Sequence, residues 1–325
     1  MKISWIHSFN PEIKSSGVFM HQLYDILKDK SIEIELIYTK DITNPKKFYK
    51  SFLEIKNKCR GVDIVHAQYG SGCGFLTSLL PNRNKILSLR GSDWYRLPSN
   101  KYKSKIANLI RQNLTLRSLD SFSKIIVMSN RMKKEVLEQD SQLDIIVLPD
   151  GINLNKFKPI PQKRARQLNG FDDSKPWILF SSVLDGNLLK RYELSLDSVN
   201  IAKKSIPDLE IKYMTGIDHD KVPMFVNMVD LILLTSTHEG WPNIVKEGLA
   251  CNIPFVSTDV SDLSEIAAIE PSCFVCEADK NILAESIVKS IKRRHDEKNL
   301  VKHLEEMEIE TVVDNLINVY KTVIS

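Results

Sequence analysis

The chain has 325 residues, of which 42% are hydrophobic and 26% are charged, and its formal net charge is +4. This composition is that of an ordinary soluble globular protein, and the length predicts two domains of about 150 residues each. Five scattered cysteines, an odd number, argue against a disulfide framework and for a reducing compartment. The N-terminus lacks the apolar core of a signal peptide, and no apolar run is long enough to span a bilayer, so we expect a cytoplasmic protein.

The charge is unevenly distributed along the chain. Residues 1–160 hold 26 Lys and Arg against 15 Asp and Glu, a net charge of +11, whereas residues 161–325 hold 19 against 26, a net charge of −7. A basic first half predicts an anionic partner such as a membrane surface, a charged glycan or a nucleic acid. The sign of the charge does not choose between these partners.

Short apolar runs alternate with longer amphipathic segments, which predicts α/β domains built on parallel sheets. In the first half, strands are predicted at Ile3–Ile6, Ile34–Tyr38, Ile64–Ala67, Ile86–Leu89, Ile125–Met128 and Ile145–Val147, and helices at Val18–Lys28 and Lys103–Asp120. Three prolines around a glycine then predict a linker at residues 149–164. In the second half, strands are predicted at residues 177–183, 211–216, 231–236, 254–258 and 274–277, and helices at residues 194–205, 224–228 and after Pro242.

This order predicts two doubly wound domains with a cleft between them. We expect a first domain at residues 1–160, a second at residues 161–300, and a C-terminal helix at residues 301–325 that packs back on the first domain. In such sheets, ligands bind beyond the carboxyl ends of the strands. Loops that follow strands are therefore the places to look for a functional site.

The stretch THEGWPNIVKEG follows the predicted strand at residues 231–236 and carries Glu239 and Glu247. Pro242 suits the first position of a helix, and the start of a helix binds anions through free N–H groups and a positive dipole end. The amides in position are those of Trp241, Asn243 and Ile244. A carboxylate near a phosphate site can hold a sugar or ribose diol through two hydrogen bonds. The pattern therefore predicts a nucleotide-sugar site, with a diphosphate between the two glutamates.

The longer string LILLTSTHEGWPNIVKEGLACNIPFVSTDVSD resembles the signature of family 4 retaining glycosyltransferases, E-G-x-P-x-x-x-x-E-A-x-A-x-x-x-P-V-V. VLPDGINLNKFKP resembles the family segment V-x-P-N-G-V-D-x-x-x-F-x-P, and GVDIVHAQYGSGCG and DHDKVPMFVNMVD also match family segments. LLKRYEL is similar to a K-R-x-x-L-A run in the branch that builds cell-surface polysaccharides, including teichuronic acid enzymes. The resemblance covers most of the chain. It implies the GT-B fold, with two Rossmann-like doubly wound parallel-sheet domains facing across a cleft.

The resemblance assigns donor-binding roles in the second domain. It implies that Glu239 contacts the transferred sugar, that Glu247 contacts the nucleotide ribose, and that Lys190 neutralises the donor diphosphate with help from Arg191. Gly17 matches a glycine-rich loop where a missing Cβ lets the backbone approach phosphate. The remaining donor-side residues are Gly240, Trp241, Asn243 and Ile244.

The acceptor side is implied for the first domain, where LSLRGSDW resembles the family segment H-G-x-D. Arg90 stands in place of the histidine; it stays protonated and cannot act as a base, but it can stabilise negative charge on the leaving phosphate or on an acidic acceptor. Asp93 is either an acceptor-hydroxyl contact or a helix N-cap. His66, after a strand, is either an acceptor-side residue or a structural histidine. The predicted catalytic set is Glu239, Lys190, Asp93 and Arg90.

The resemblance implies front-face attack with retention, in which the leaving phosphate takes the acceptor proton, and no cofactor. We recognise no Asp-x-Asp metal motif in the chain and therefore predict metal independence. A UDP-hexose donor is favoured over GDP-mannose, and the acceptor is a glycan or a lipid-linked molecule. KYKSKIANLIRQNLTLRSL, residues 101–119, is either a basic amphipathic helix that docks on anionic lipid at the inner face of the plasma membrane, or a core-facing helix with a solvated basic face.

Three other functions are weaker. A nucleotide-sugar epimerase of the same architecture would need a catalytic acidic pair that is not evident. An NAD-dependent oxidoreductase would need G-x-G-x-x-G, whose register is spoiled by Phe75 in GSGCGF. A non-catalytic polyanion binder would use the basic half, but aromatics at RNA-binding spacing are missing, so no nucleic-acid partner is expected.

Overall fold

A computed structural model describes residues 1–13, 16–30, 32–40, 42, 44–96, 98–181 and 188–325. The chain forms two compact units, of which unit 1 contains Met1–Gly151 together with Ile309–Ser325, and unit 2 contains Ile152–Glu308. The predicted boundaries lay at 160/161 and 300/301. The end of the predicted strand at residues 177–183 falls partly outside the described residues.

Unit 1 alternates strands with helices because β-branched apolar runs are separated by amphipathic segments. Its strands are β1 Lys2–His7, β2 Glu33–Tyr38, β3 Ile64–Ala67, β4 Lys85–Ser88, β5 Lys124–Val127 and β6 Ile145–Val147. Its first helices are α1 Val18–Asp29, α2 Pro45–Lys58, α3 Ser71–Ser78, α4 Tyr102–Leu116 and α5 Asn130–Leu137. The described strands form one parallel sheet in the order β2-β1-β3-β4-β5-β6.

Unit 2 repeats this architecture. Its helices are α6 Gln162–Leu168, α7 Tyr192–Ala202, α8 Val222–Asn227, α9 Asn243–Ala250, α10 Leu263–Ala267 and α11 Lys280–Lys292. Its strands are β7 Trp177–Phe180, β8 Glu210–Tyr213, β9 Leu231–Leu234, β10 Phe255–Thr258 and β11 Phe274–Cys276. They pair in parallel in the order β11-β10-β9-β7-β8 over the described residues, with the apolar side chains of β7 and β9 in the core.

The chain ends in a 3₁₀ segment, Val301–Met307, and helix α12, Ile309–Ile324. Helix α12 belongs to unit 1. Its Tyr320 is fully buried and accepts a hydrogen bond from the indole N–H of Trp5 at 2.8 Å, which ties the last helix to the first strand.

The two parallel-sheet α/β domains confirm the predicted fold class. Strands of unit 1 lie within one residue of their predicted bounds. Helix α4 ends earlier than predicted, at Leu116, because residues Leu119–Ser121 form a separate 3₁₀ turn. None of the described helices combines the length and apolar character needed to cross a bilayer.

Candidate functional site

The loop after β9 leads into helix α9 and carries the first predicted glutamate. The sequence predicted Pro242 at the first position of a helix. It instead precedes α9, because its ψ of 115° is extended. Its carbonyl accepts hydrogen bonds from the amides of Val245 and Lys246 at 3.1 and 3.2 Å. The amides of Asn243 and Ile244 have no acceptor among the described residues. They therefore remain available to an anion at the positive end of the helix dipole.

Glu239 is held by one of its two carboxylate oxygens. Oε1 accepts hydrogen bonds from Lys190 Nζ at 2.5 Å and from Ser236 Oγ at 2.6 Å. Both charged side chains are mostly shielded from solvent. Within the described parts of the chain, Oε2 has no hydrogen-bond donor. The orientation of the carboxylate is thus fixed, and its second oxygen can accept a hydrogen bond from a hydroxyl.

Lys190 is placed by a junction between two loops. The Thr235 hydroxyl donates to the Lys190 carbonyl at 2.6 Å, and the Thr237 amide donates to the Leu189 carbonyl at 2.8 Å. These bonds fasten the segment before α7 to the loop after β9. The ammonium of Lys190 consequently lies beside Glu239, as the predicted donor site requires.

Arg191 stabilises this junction with hydrogen bonds from its own side chain. Its Nε donates to the Thr235 carbonyl at 2.6 Å and an Nη donates to the Ser236 carbonyl at 2.7 Å. The residue has φ of 48° in the left-handed region, a conformation that costs a non-glycine residue energy and clusters at functional sites. At least these two donors are committed to carbonyls, so the predicted contribution of Arg191 to the diphosphate stays a prediction.

Glu247 lies on α9, just over one turn from the start of the helix. It is near His219 and Lys156, two residues that the sequence analysis did not single out. Its Oε1 is 3.7 Å from Nε2 of His219, whose Nδ1 is 2.9 Å from Nζ of Lys156. A lysine ammonium can only donate, so Nδ1 accepts, and the ring proton of a neutral His219 lies on Nε2, facing Glu247. The resemblance of DHDKVPMFVNMVD to a family segment was the available signal.

Asp218, His219 and Asp220 do have Asp-x-Asp spacing, which corrects the sequence interpretation. Asp220 is exposed and forms an ion pair with Lys156 at 2.7 Å. The described residues contain no group of three or more His, Cys, Asp and Glu side chains that could hold a metal. Metal independence stays a prediction.

Small and polar residues fix the rest of the loop. Ser261 donates to the Gly240 carbonyl at 2.7 Å, and Thr258 donates to the Ser236 carbonyl at 2.6 Å. A Cβ at Gly248 would lie 2.7 Å from the Ile232 side chain, so α9 packs directly against β9.

Beside this loop, Lys246 is buried, with its ammonium 5.8 Å from the centre of the buried ring of Trp241. A lysine on a helix is usually exposed, so the burial of Lys246 was not predicted. Trp241 therefore contributes its ring to packing as well as its amide to the loop.

In unit 1, Arg90 is enclosed by polar and aromatic partners. Its guanidinium forms an ion pair with Asp150, donates to Gln68 Oε1 at 2.8 Å, and lies 4.6 Å from the centre of the Phe19 ring. Burial lowers the pKa of Arg90 to about 10, so it stays charged at neutral pH. Asp150 occupies the position of the Asn in the family segment V-x-P-N-G-V. These two departures from the family pattern, among the several in the chain, therefore contact each other.

Asp93 is buried and braces the loop after β4. Its two oxygens accept hydrogen bonds from the amides of Gly70 at 2.8 Å, Arg90 at 2.9 Å and Gly91 at 2.9 Å. Burial raises the pKa of this carboxyl above its usual range. The observed role is to hold backbone, and the predicted contact with an acceptor hydroxyl stays a prediction.

His66 lies inside β3 and is buried, not after the strand as predicted. Its Nδ1 is 2.8 Å from the Tyr320 hydroxyl and its Nε2 is 2.9 Å from the Ser88 hydroxyl. Burial holds the pKa of His66 well below its usual value, so the ring is neutral. Both ring nitrogens are occupied, which favours the structural alternative, and the acceptor-side role stays a prediction.

Gly17 has φ of 72° and precedes α1, as a glycine in a tight turn does. A Cβ there would lie 2.8 Å from the ring of Phe9. The space that a side chain would fill is therefore taken by Phe9. Its predicted approach to phosphate stays a prediction.

These elements define a class of protein. Two parallel-sheet α/β domains, with a lysine, two glutamates and a free helix start at strand ends, have the GT-B fold of nucleotide-sugar glycosyltransferases. The family described as "Glycosyl transferases group 1" matches residues 197–293, which contain both glutamates. Residues 197–293 therefore match a domain of the group 1 glycosyltransferase type.

Known proteins agree with this assignment. A glycosyltransferase of Methanocaldococcus jannaschii, MJ1178, is 25% identical over 312 residues, which cover 89% of this chain and 79% of the relative. TuaC of Bacillus subtilis, named as a teichuronic acid biosynthesis glycosyltransferase, is 25% identical over 70% of this chain and 61% of its own length. Anabaena Alr3699/HepE, solved in complex with UDP and glucose, has a TM-score of 0.69 at 13% identity and covers 99% of this chain and 100% of its own.

Proposed function

We propose that this chain is a retaining glycosyltransferase that moves a hexose from a nucleoside-diphosphate sugar to a hydroxyl of a growing surface glycan or lipid-linked acceptor. The observation that carries the proposal is the state of Glu239, whose Oε1 is held by Lys190 and Ser236 while Oε2 has no donor among the described residues. A carboxylate held in this way is suited to a sugar hydroxyl.

The donor diphosphate would lie at the start of α9. Lys190 supplies a point charge beside that helix start, and the amides of Asn243 and Ile244 supply two further donors. Glu247, whose Oε1 has His219 as a neighbour at 3.7 Å, would accept hydrogen bonds from the ribose diol. The cation, the amides and the two carboxylates together match the parts of a nucleotide sugar.

The reaction breaks the bond between the anomeric carbon and the donor phosphate and forms a bond from that carbon to the acceptor oxygen on the same face. The acceptor proton passes to a leaving phosphate oxygen, so no protein base is required. Positive groups aimed at the leaving group supply the main stabilisation of the transition state. In this proposal the reaction needs neither a cofactor nor a metal, and UDP is favoured over GDP because HepE was solved with UDP.

The charge of the first half and the relatives support the proposed acceptor and location. The basic first half favours an anionic environment, and TuaC is named for teichuronic acid biosynthesis. We therefore place the enzyme in the cytoplasm, peripherally on the inner face of the plasma membrane. A nucleotide-sugar epimerase and a non-catalytic polyanion binder are the alternatives that the next experiment separates.

The test is a thermal-shift titration with UDP, GDP, ADP and NAD in EDTA, followed by product analysis with the matching sugar nucleotides. A ligand at 100 times its dissociation constant should add about 2.7 kcal/mol of stability. We expect UDP to stabilise the protein, Glu247→Ala to lose the response, and Glu265→Ala, on the exposed side of α10, to keep it. A sugar nucleotide converted to its epimer without acceptor, or stabilisation by NAD alone, contradicts the proposal.

A further inference from the structure

Helix α4 turns its apolar side outward. The buried residues of this helix are Asn108 and Thr115, both polar. Its exposed apolar side chains are Tyr102 at 77%, Ile106 at 42%, Leu109 at 40% and Ile110 at 54% of full exposure. The spacing of these four residues places them on one face. An ordinary surface helix buries its apolar side, whereas α4 exposes it. The alternative from the sequence, a core-facing helix with a solvated basic face, is therefore wrong.

The inward polar side is fixed by specific bonds. Thr115 Oγ1 donates to the Asp93 carbonyl at 2.6 Å and accepts from the Ser71 amide at 2.6 Å. A Cβ at Gly70 would lie 2.8 Å from the same Oγ1, so the start of α3 closely approaches α4 here. Rotating α4 to bury its apolar face would break these bonds and leave buried polar groups unpaired, at a cost. The outward apolar face is therefore built into unit 1.

Positive charge surrounds the apolar face. Lys101, Lys103, Lys105 and Arg111 are exposed, and the segment 101–116 contains no acidic residue. None of these four side chains forms a salt bridge with an acidic residue in the described part of the chain. An exposed apolar strip with uncompensated positive charge is the pattern of a helix that lies in the interface of an anionic membrane.

A second basic helix lies on the same side of the sheet. The crossovers from β2 to β5 run in one direction along the sheet, so α2, α3 and α4 share one face. Phe48 of α2 contacts Phe75 of α3 at a ring distance of 6.1 Å, and α3 packs on α4. Helix α2 adds exposed Tyr49 and Leu53 together with Lys46, Lys47 and Lys50. We call the exposed residues of α2 and α4 the basic helical surface.

We propose that the basic helical surface docks on an anionic phospholipid bilayer, with the apolar side chains of α4 entering the acyl boundary and the lysines meeting the headgroups. The benefit of this docking, proximity to a lipid-linked acceptor, rests on the proposed function. Aliphatic residues dominate the exposed strip of α4, whereas single-stranded nucleic acid needs aromatic stacking platforms. Pairing of two copies through this face would bring like charges together, which disfavours a second copy as the occupant.

The experiment is vesicle flotation of the full chain with phosphatidylcholine vesicles that contain about one third phosphatidylglycerol, compared with pure phosphatidylcholine. We expect binding to the anionic vesicles, weakened by salt. Ile106→Ser with Ile110→Ser should reduce binding at least about tenfold, since this removes apolar area that enters the membrane. Lys103→Glu with Lys105→Glu should also reduce it. Leu168→Ser with Ile269→Ser, two exposed apolar positions of unit 2, is the matched control and should bind like the wild type.

The result that overturns the proposal is unchanged vesicle binding by the double serine variant, or no binding by the wild type. A wild-type dimer in light scattering that dissociates in the serine variant would assign the face to a second copy. Retention on heparin that depends on the lysines but not on the isoleucines would assign it to a polyanion. The UDP thermal shift of each variant should stay unchanged, so failure of docking is distinguishable from failure of the proposed donor site.

Discussion

The contact of Arg90 with Asp150 can be tested by removing each charge. Each of these side chains is only 10% exposed, so each contributes to balancing the charge of the other inside unit 1. Arg90→Met removes the cation beside a buried carboxylate. Asp150→Asn removes the paired anion of a buried guanidinium, which keeps the charge of Asp93 nearby. The double variant removes both charges, with Gln68 remaining as a polar neighbour.

Breaking a buried ion pair by removing one partner costs about 3–5 kcal/mol, whereas replacing both partners is often near neutral. We therefore expect each single variant to lose about 3 kcal/mol of unfolding free energy, and the double variant to lose less than the sum by about 2–4 kcal/mol. Lys30 and Asp314 form an exposed pair in the same unit at 2.7 Å and provide the control cycle. Its coupling should be below about 1 kcal/mol.

Urea unfolding of all variants, followed by circular dichroism, gives the free energies. Because the chain has two units, hydrogen exchange by mass spectrometry is needed to assign the affected transition to unit 1. A coupling energy for Arg90 and Asp150 no larger than that of the exposed control pair would refute the argument that the two departures from the family pattern compensate each other.

Three further outcomes are expected. Tyr320→Phe removes the hydroxyl that serves Trp5 and His66 and should cost about 2–4 kcal/mol in urea unfolding; Tyr24→Phe should change stability by less than about 0.5 kcal/mol. His66 is neutral in the folded chain but has a pKa near 6.5 when unfolded. Its contribution to the free energy of unfolding is therefore fully present above that pH and declines below it by up to about 1.4 kcal/mol per pH unit. His66→Gln should flatten this decline between about pH 7.5 and 5.5. His219→Ala should weaken UDP binding measured by calorimetry, and it should weaken 2′,3′-dideoxy-UDP less, because its effect acts through Glu247 on the ribose.

The strands were predictable because most are short apolar runs that contain β-branched residues and lie between polar breakers. Ile64–Ala67 and Ile145–Val147 have the predicted bounds. Helix α3 was not predicted, since its sequence SGCGFLTS is rich in glycine and reads as a loop. It is helical because Gly70 and Gly74 allow close packing against α4 and β4, a tertiary effect that local propensity does not contain.

The candidate site was predictable to the extent that it is contiguous in sequence. Glu239 and Glu247 are carried by one strand-loop-helix string, so their placement follows from that string. His219 and Lys156 reach Glu247 through contacts between distant segments, which depend on sheet order. For α4, the periodicity identified two faces but not which of them turns inward. That choice is made by the bonds of Thr115 to α3 and to the loop of Asp93.

The arrangement of charge suggests how a diphosphate could bind in the acidic half of the chain. Lys190 is bound to Glu239 at 2.5 Å, so its charge is balanced by the carboxylate. An arriving diphosphate would compete with Glu239 for the ammonium, and the carboxylate would keep the Ser236 hydroxyl and gain hydroxyls of the sugar. On the proposed function, donor binding is then an exchange of partners rather than the burial of an isolated charge, which keeps the cost of removing these ions from water low.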